Sequence, residues 1–178
     1  MALQLGHRIS VDLDFFTPDE FDENEVADKL LSEKFFIEQR RGWRTVLGRV
    51  GNTSVSLFYY KYPLIDKTLD FEGLNLVGLK DISAMKIAAI MDRGTRRDFV
   101  DLFFLSKKFK LEKMLDFYDE KFKKLESNFY SISRALAYFE DADQEKEMPR
   151  MLTNISWDEV KKFFSRESIR LGKSKLKV

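Results

Sequence analysis

A chain of 178 residues with 44% hydrophobic positions and 17 phenylalanines is long enough for one domain with a real core, or one domain with a helical appendage. Its 31 basic and 30 acidic side chains balance, so net charge does not single out nucleic acid as a partner. The lack of cysteine excludes disulfides and cysteine-ligated zinc, and a single histidine, His7, excludes multi-histidine metal sites and histidine-based catalytic pairs.

No apolar run approaches the ~18 to 20 residues that span a bilayer. The start "MALQLGHR" is too short and too quickly charged for a signal peptide. These features, with a cysteine-free composition that suits a reducing compartment, lead to the expectation of a cytoplasmic protein without membrane contact.

In chain order, Arg8 to Phe16 reads as a strand with Ile9, Val11 and Leu13 on one face and Ser10, Asp12 and Asp14 on the other. Thr17 is placed as a helix N-cap with Pro18 at the first helical position, and a helix is expected over Glu23 to Glu33. Two strand-like runs follow, "FFIEQRRGWRTVLGRV" and "TSVSLFYYKY", joined by a tight turn at Gly51-Asn52 and closed by Pro63. After the apolar segment "LNLVGL", Asp81 is expected to cap the helix "ISAMKIAAIMDRG", which Gly94 interrupts.

From Thr95 the pattern is helical throughout: "RRDFVDLFFLSKKF", "LEKMLDFYDEKFKKL", "YSISRALAYFEDA" and "SWDEVKKFFSRESIRL". Ser156 and Glu159 have the spacing of a capping box for the last of these. The basic tail, with Lys173, Lys175 and Lys177, is expected to fray. The class is therefore α+β, a small mixed sheet with flanking helices followed by a helical half.

Residues two apart on a strand point the same way, with Cα atoms ~6.6 Å apart, so Asp12 and Asp14 present two carboxylates to one volume. Such a pair repels itself unless a proton or cation intervenes, and hard oxygen donors suit Mg²⁺, which takes one or two carboxylates plus substrate phosphates. Phosphoryl or nucleotidyl transfer is the chemistry that needs this arrangement. An ordinary strand with a solvated polar face has the same alternation.

Two separated blocks, "LGHRISVDLDFF" and "DISAMKIAAIMDRGTRRDFVDLFFL", together resemble the AbiEii/AbiGii toxin family, bacterial nucleotidyltransferases of the DNA polymerase beta-like superfamily. Their order and spacing fit that family over roughly residues 1 to 140. The resemblance implies a nucleotidyltransferase-like α/β core over residues 1–80 with a helical region over 81–178 packing on it. It also implies transfer of a nucleoside monophosphate from an NTP to an acceptor, tRNA or protein, with Mg²⁺ or another divalent cation at Asp12 and Asp14. Toxins of this kind act in abortive infection and toxin–antitoxin systems, so a cognate antitoxin is an implied partner.

Position by position, the resemblance gives Asp12, Asp14, Lys86 and Asp101 catalytic roles. Ser10, Arg93, Arg97 and Asp98 would meet the nucleotide with Lys86, and the match of His7 and Arg8 to a family "GHR" implies nucleotide contacts there too. Helical spacing puts Lys86, Arg93 and Arg97 on one basic face if the helix survives Gly94. The alternative is a solvated Lys86, with Asp98 and Asp101 paired to Arg96 or Arg97.

The chain departs from the family in two places. The family places a Gly-Gly-Ser/Thr turn, which supplies backbone N–H groups to the triphosphate, just ahead of the position where this sequence begins with "MALQLGHR", so the expectation is either a start further upstream or a member that has lost this turn. The strand expected beside the acidic pair carries Ser54 and Ser56 and no acid, while Asp66 and Asp70 fall in an expected loop. These departures keep a second reading open, a catalytically impaired remnant that binds nucleotide or protein.

Overall fold

The computed structural model describes residues 1–176, with side chains through 174, so Lys177 and the side chain of Lys175 lie outside the described residues. In chain order the elements are α1 (Ala2–Leu5), β1 (Asp12–Thr17), α2 (Glu23–Ser32), β2 (Phe36–Gly42), β3 (Thr45–Val50), β4 (Thr53–Tyr59), β5 (Leu69–Phe71) and β6 (Leu74–Leu76), then α3 (Leu79–Asp92), α4 (Arg96–Ser106), α5 (Leu111–Phe122), α6 (Leu125–Ala135), α7 (Glu140–Gln144) and α8 (Trp157–Leu176). This is the expected α+β class. The chain divides into two units, Ser10–Pro63 and Met1–Ile9 with Leu64–Val178.

The Ser10–Pro63 unit is a four-stranded sheet in the order β1-β4-β3-β2, with β1 parallel to β4 and the other neighbours antiparallel. Gly51, with a left-handed φ of +59°, makes the β3–β4 turn where Gly51-Asn52 was expected to place it. One face packs on α2, burying Ala27, Phe36 and Val46 with Val26 and Leu30 at the margin. Gly48 is required there, because a Cβ would collide with the Phe36 ring and lie 2.7 Å from the Ile37 carbonyl oxygen.

Three local expectations are corrected in this unit. The N-cap of α2 is Asp22, whose carboxylate accepts from the Asn24 and Glu25 N–H groups; Thr17 instead ends β1 and accepts from the Asp19 N–H in a turn. Asp22 wins because a charged acceptor completes a first turn that already carries Glu23 and Glu25. The run 35–50 is a hairpin of two strands, turned at Trp43-Arg44 with Arg44 at a left-handed φ of +51°. The strand expected from Arg8 begins at Asp12.

In the other unit, α3 to α8 enclose a core that includes Ile87, Phe99, Leu102, Leu105, Met114, Ile132, Leu136 and Phe164, all at most 1% exposed. Met1 and Leu5 of the α1 segment pack against it, and an isolated antiparallel bridge joins Arg8 to Met151. Hydrogen bonds from Ile9 N to Arg150 O and from Leu152 N to His7 O complete that bridge. Residues 7–9 are thus bound to the helical unit and not to the sheet, which is why β1 starts late.

Asp81 does not cap α3, which begins at Leu79 behind Gly78. It lies fully buried in the first turn, accepts the Ile65 and Asp66 N–H groups, and forms an ion pair with the equally buried Lys121 at 2.6 Å. Asp70 belongs to β5 of a small hairpin, not to a loop. The capping box at α8 is present, with Ser156 and Glu159 bonded reciprocally. That helix continues through Leu176, so residues 172–176 of the tail expected to fray extend it, and the rest of the tail lies outside the described residues.

Candidate active site

The acidic pair sits on the polar face of the sheet. The parallel register sets Asp12 beside Ser54 and Asp14 beside Ser56, and the next strand adds Arg49 to the first row and Leu47 to the second. A third row, Phe16 and Phe58, stacks with ring centroids 5.5 Å apart and closes one end of the polar face. Asp12 is half-buried, and Asp14, Ser10 and Ser54 are exposed.

The donors brought together here are therefore two carboxylates flanked by two serine hydroxyls. Among the described residues no group of three or more acidic or histidine side chains converges to cage a metal. This donor set does not fit a closed protein cage. It fits Mg²⁺ as that ion is usually held beside nucleotides, by one or two carboxylates with phosphate oxygens and waters completing the octahedron.

The helical unit carries the second cluster. Gly94, at a left-handed φ of +49°, ends α3, and the Thr95 hydroxyl caps α4. The chain reverses between the two helices, and Asp98 and Asp101, three residues apart on α4, turn the same face toward Lys86 of α3. The Lys86 ammonium bridges them, 2.9 Å from Asp98 Oδ1 and 2.7 Å from Asp101 Oδ2.

Each aspartate is saturated. Asp98 also accepts from Arg93 Nε at 2.9 Å, Arg93 Nη2 at 3.3 Å and the Thr95 hydroxyl at 2.7 Å. Asp101 accepts from His7 Nε2 at 2.8 Å and from the Arg8 guanidinium at 2.7 and 3.0 Å. Burial alone would raise both carboxyl groups. The opposing contacts outweigh it, holding Asp98 down at about 2 through Arg93, Lys86 and Thr95, and Asp101 lower still through His7, Arg8 and Lys86.

Both aspartates are therefore ionised and inaccessible, with 0% exposure, whereas Lys86 keeps 18% and Arg93 62%. Three cations, Lys86, Arg93 and Arg8, against two carboxylates leave one net positive charge. The Lys86 ammonium, bonded to two buried carboxylates, keeps part of its surface accessible, where it can meet an anion.

The structure thus gathers eight of the expected site residues, in two places. Asp12 and Asp14 share the sheet face. His7, Arg8, Lys86, Asp98 and Asp101 form one buried network, which Arg93, also expected, joins from the surface and which includes Thr95, a residue the sequence reading missed. Its signal was the Thr-x-x-Asp spacing of a helix start ahead of an apolar run. Arg97 is exposed on α4. Lys86 and Arg93 meet on Asp98 although Gly94 breaks the helical spacing expected to unite them.

A small mixed sheet followed by a helical half is an α+β architecture of the nucleotidyltransferase type. The family described as "Nucleotidyl transferase AbiEii toxin, Type IV TA system" matches residues 61–168. The chain belongs to this AbiEii family. It is 34% identical over 179 residues to the Aquifex aeolicus protein aq_aa25, an alignment covering 94% of this chain and 82% of that one. Among solved structures it is similar in fold to JHP933 from Helicobacter pylori, with a TM-score of 0.50 and 17% identity over 94% of this chain and 77% of the other.

Proposed function

We propose that the protein transfers a nucleoside monophosphate from an NTP to an acceptor, tRNA or protein, as a toxin of a toxin–antitoxin pair acting in the cytoplasm during abortive infection. The observation that carries this reading is the accessible Lys86 ammonium held between two buried, ionised aspartates, in a chain of the AbiEii family. In the reaction an acceptor oxygen forms a bond to the α-phosphorus while the bond from that phosphorus to the β-phosphate oxygen breaks, releasing pyrophosphate.

Asp12 and Asp14 would hold Mg²⁺, which supplies Lewis-acid neutralisation of phosphate charge when bound. Lys86 meets the negative charge that grows on the polyphosphate, and its fixed seat means little reorganisation is needed as that charge develops. Arg93, mostly exposed beside it, adds a second cation for the same anion. Asp98 and Asp101 serve through Lys86, and Ser10 lies two residues before Asp12 on the chain.

Labelled NTPs with Mg²⁺ and either total tRNA or cell lysate provide the test. The wild-type chain should label a component, and the Asp12→Ala/Asp14→Ala double variant should not. Equal labelling by both would overturn the assignment. A second reading, a nucleotide-binding remnant without transfer activity, is favoured by Ser54 and Ser56, which occupy the strand positions beside the pair where a third acid would activate the attacking hydroxyl. Nucleotide binding without labelling would select it.

A further inference from the structure

We infer that His7 is a positioning residue for Lys86, acting through Asp101, and that it makes no contact with nucleotide. This rests on the reading of Lys86 as the group that meets the polyphosphate. His7 is 1% exposed and its ring packs against Phe104 with centroids 4.8 Å apart, so a phosphate does not reach the imidazole. Its Nε2–H donates to Asp101 Oδ1 at 2.8 Å. Its Nδ1 finds no hydrogen-bond partner among the described residues, so the bond to Asp101 is the polar attachment of this side chain.

The two oxygens of a carboxylate are rigidly joined, and a torsion that frees one displaces the other. Asp101 Oδ1 is held by His7 and by Arg8 Nε, while Oδ2 accepts Arg8 Nη2 and Lys86. Arg8 alone fixes the plane of the carboxylate along one edge. His7 adds a donor to the oxygen remote from Lys86, so withdrawing it lets the carboxylate swing and lets the ammonium slide toward Asp98, which already serves Arg93 and Thr95. The predicted consequence is a Lys86 no longer aimed at the ligand, with an unchanged donor list on the ligand side.

Glutamine and asparagine separate this role from simple packing, because both replace the imidazole on Phe104 but differ in reach. The glutamine amide nitrogen falls where Nε2 stands, and the asparagine nitrogen stops near Nδ1. Calorimetric titration of the full chain with ATP and Mg²⁺, and with pyrophosphate alone, should give His7→Gln a Kd within about twofold of wild type and His7→Asn one weaker by about tenfold, or 1.4 kcal/mol. Independently, His7 is the sole histidine, so its Nε2–H resonance is unambiguous; it should shift in Lys86→Met and on adding pyrophosphate to wild type.

Equal affinities for the two His7 variants, or a resonance unmoved by Lys86→Met, would overturn the positioning role while leaving the reading of Lys86 intact. A wild-type chain that binds neither ATP nor pyrophosphate would overturn that reading, and the role with it, whatever the resonance does.

Discussion

Asp98→Asn removes the anion that Lys86, Arg93 and Thr95 share, and leaves a side chain of the same size in a fully buried position. A carboxyl group lowered from its ordinary 3.8 to about 2 is stabilised in its ionised form by about 2.4 kcal/mol, at ~1.36 kcal/mol per tenfold in the proton equilibrium. The sign follows from the depression. Folded chains hold this proton less tightly than unfolded ones, so the stability is fully present above pH 3.8 and is lost as pH falls through about 2. Urea unfolding of both chains should show the variant less stable by at least about 2.4 kcal/mol at pH 7, and the gap should narrow by about 1 kcal/mol at pH 3. A gap that is constant between those pH values, or that widens in acid, would refute the assignment of an ionised, cation-held Asp98.

Lys121→Met should cost about 3–5 kcal/mol in chemical unfolding, because it leaves the buried Asp81 side chain without the ammonium 2.6 Å away; a loss below ~1 kcal/mol would contradict the ion pair. Gly48→Ala forces a methyl into the Phe36 ring and toward the Ile37 carbonyl, and should lower stability by about 1–3 kcal/mol in the same measurement.

The strands and helices that position the site were legible where periodicity and turn chemistry agreed. The Gly51-Asn52 hairpin and the Ser156–Glu159 box came directly from residue type, because a left-handed φ and a reciprocal cap each demand particular side chains. The β2–β3 hairpin did not, since its turn puts Arg44 at a φ of +51°, where glycine or asparagine would have announced it. The cap of α2 was missed for a related reason: Thr17-Pro18 and Asp22 both suit a helix start, and local spacing cannot say that Thr17 is still needed to end β1.

For the site, Asp12 and Asp14 were readable as one face because a strand has period two. The Lys86 network was not readable as a structure, since His7 and Arg8 reach Asp101 across 94 and 93 residues and no periodicity spans that distance. Helical spacing suggested a basic face shared by Lys86 and Arg93, and the two do meet, though not along one helix. What unites Lys86 with Arg93 is the reversal of the chain at Gly94 and the two aspartates that α4 then presents.

Two lysines in the helical unit sit on buried aspartates, and the contrast between them bears on what each is for. Lys121 and Asp81 are both at 0% exposure, so their pairing is closed to any ligand and its oxygens are spent on the backbone of Ile65 and Asp66. Lys86 is also paired at short distance, yet it retains 18% exposure above two carboxylates that have none. Burying ions is costly, and a pair replaced by apolar side chains is often no less stable, so stability alone gives little reason for two aspartates beneath one lysine. Orientation gives one. Two buried carboxylates bonded to a partly exposed ammonium fix its position, which an apolar seat would not do.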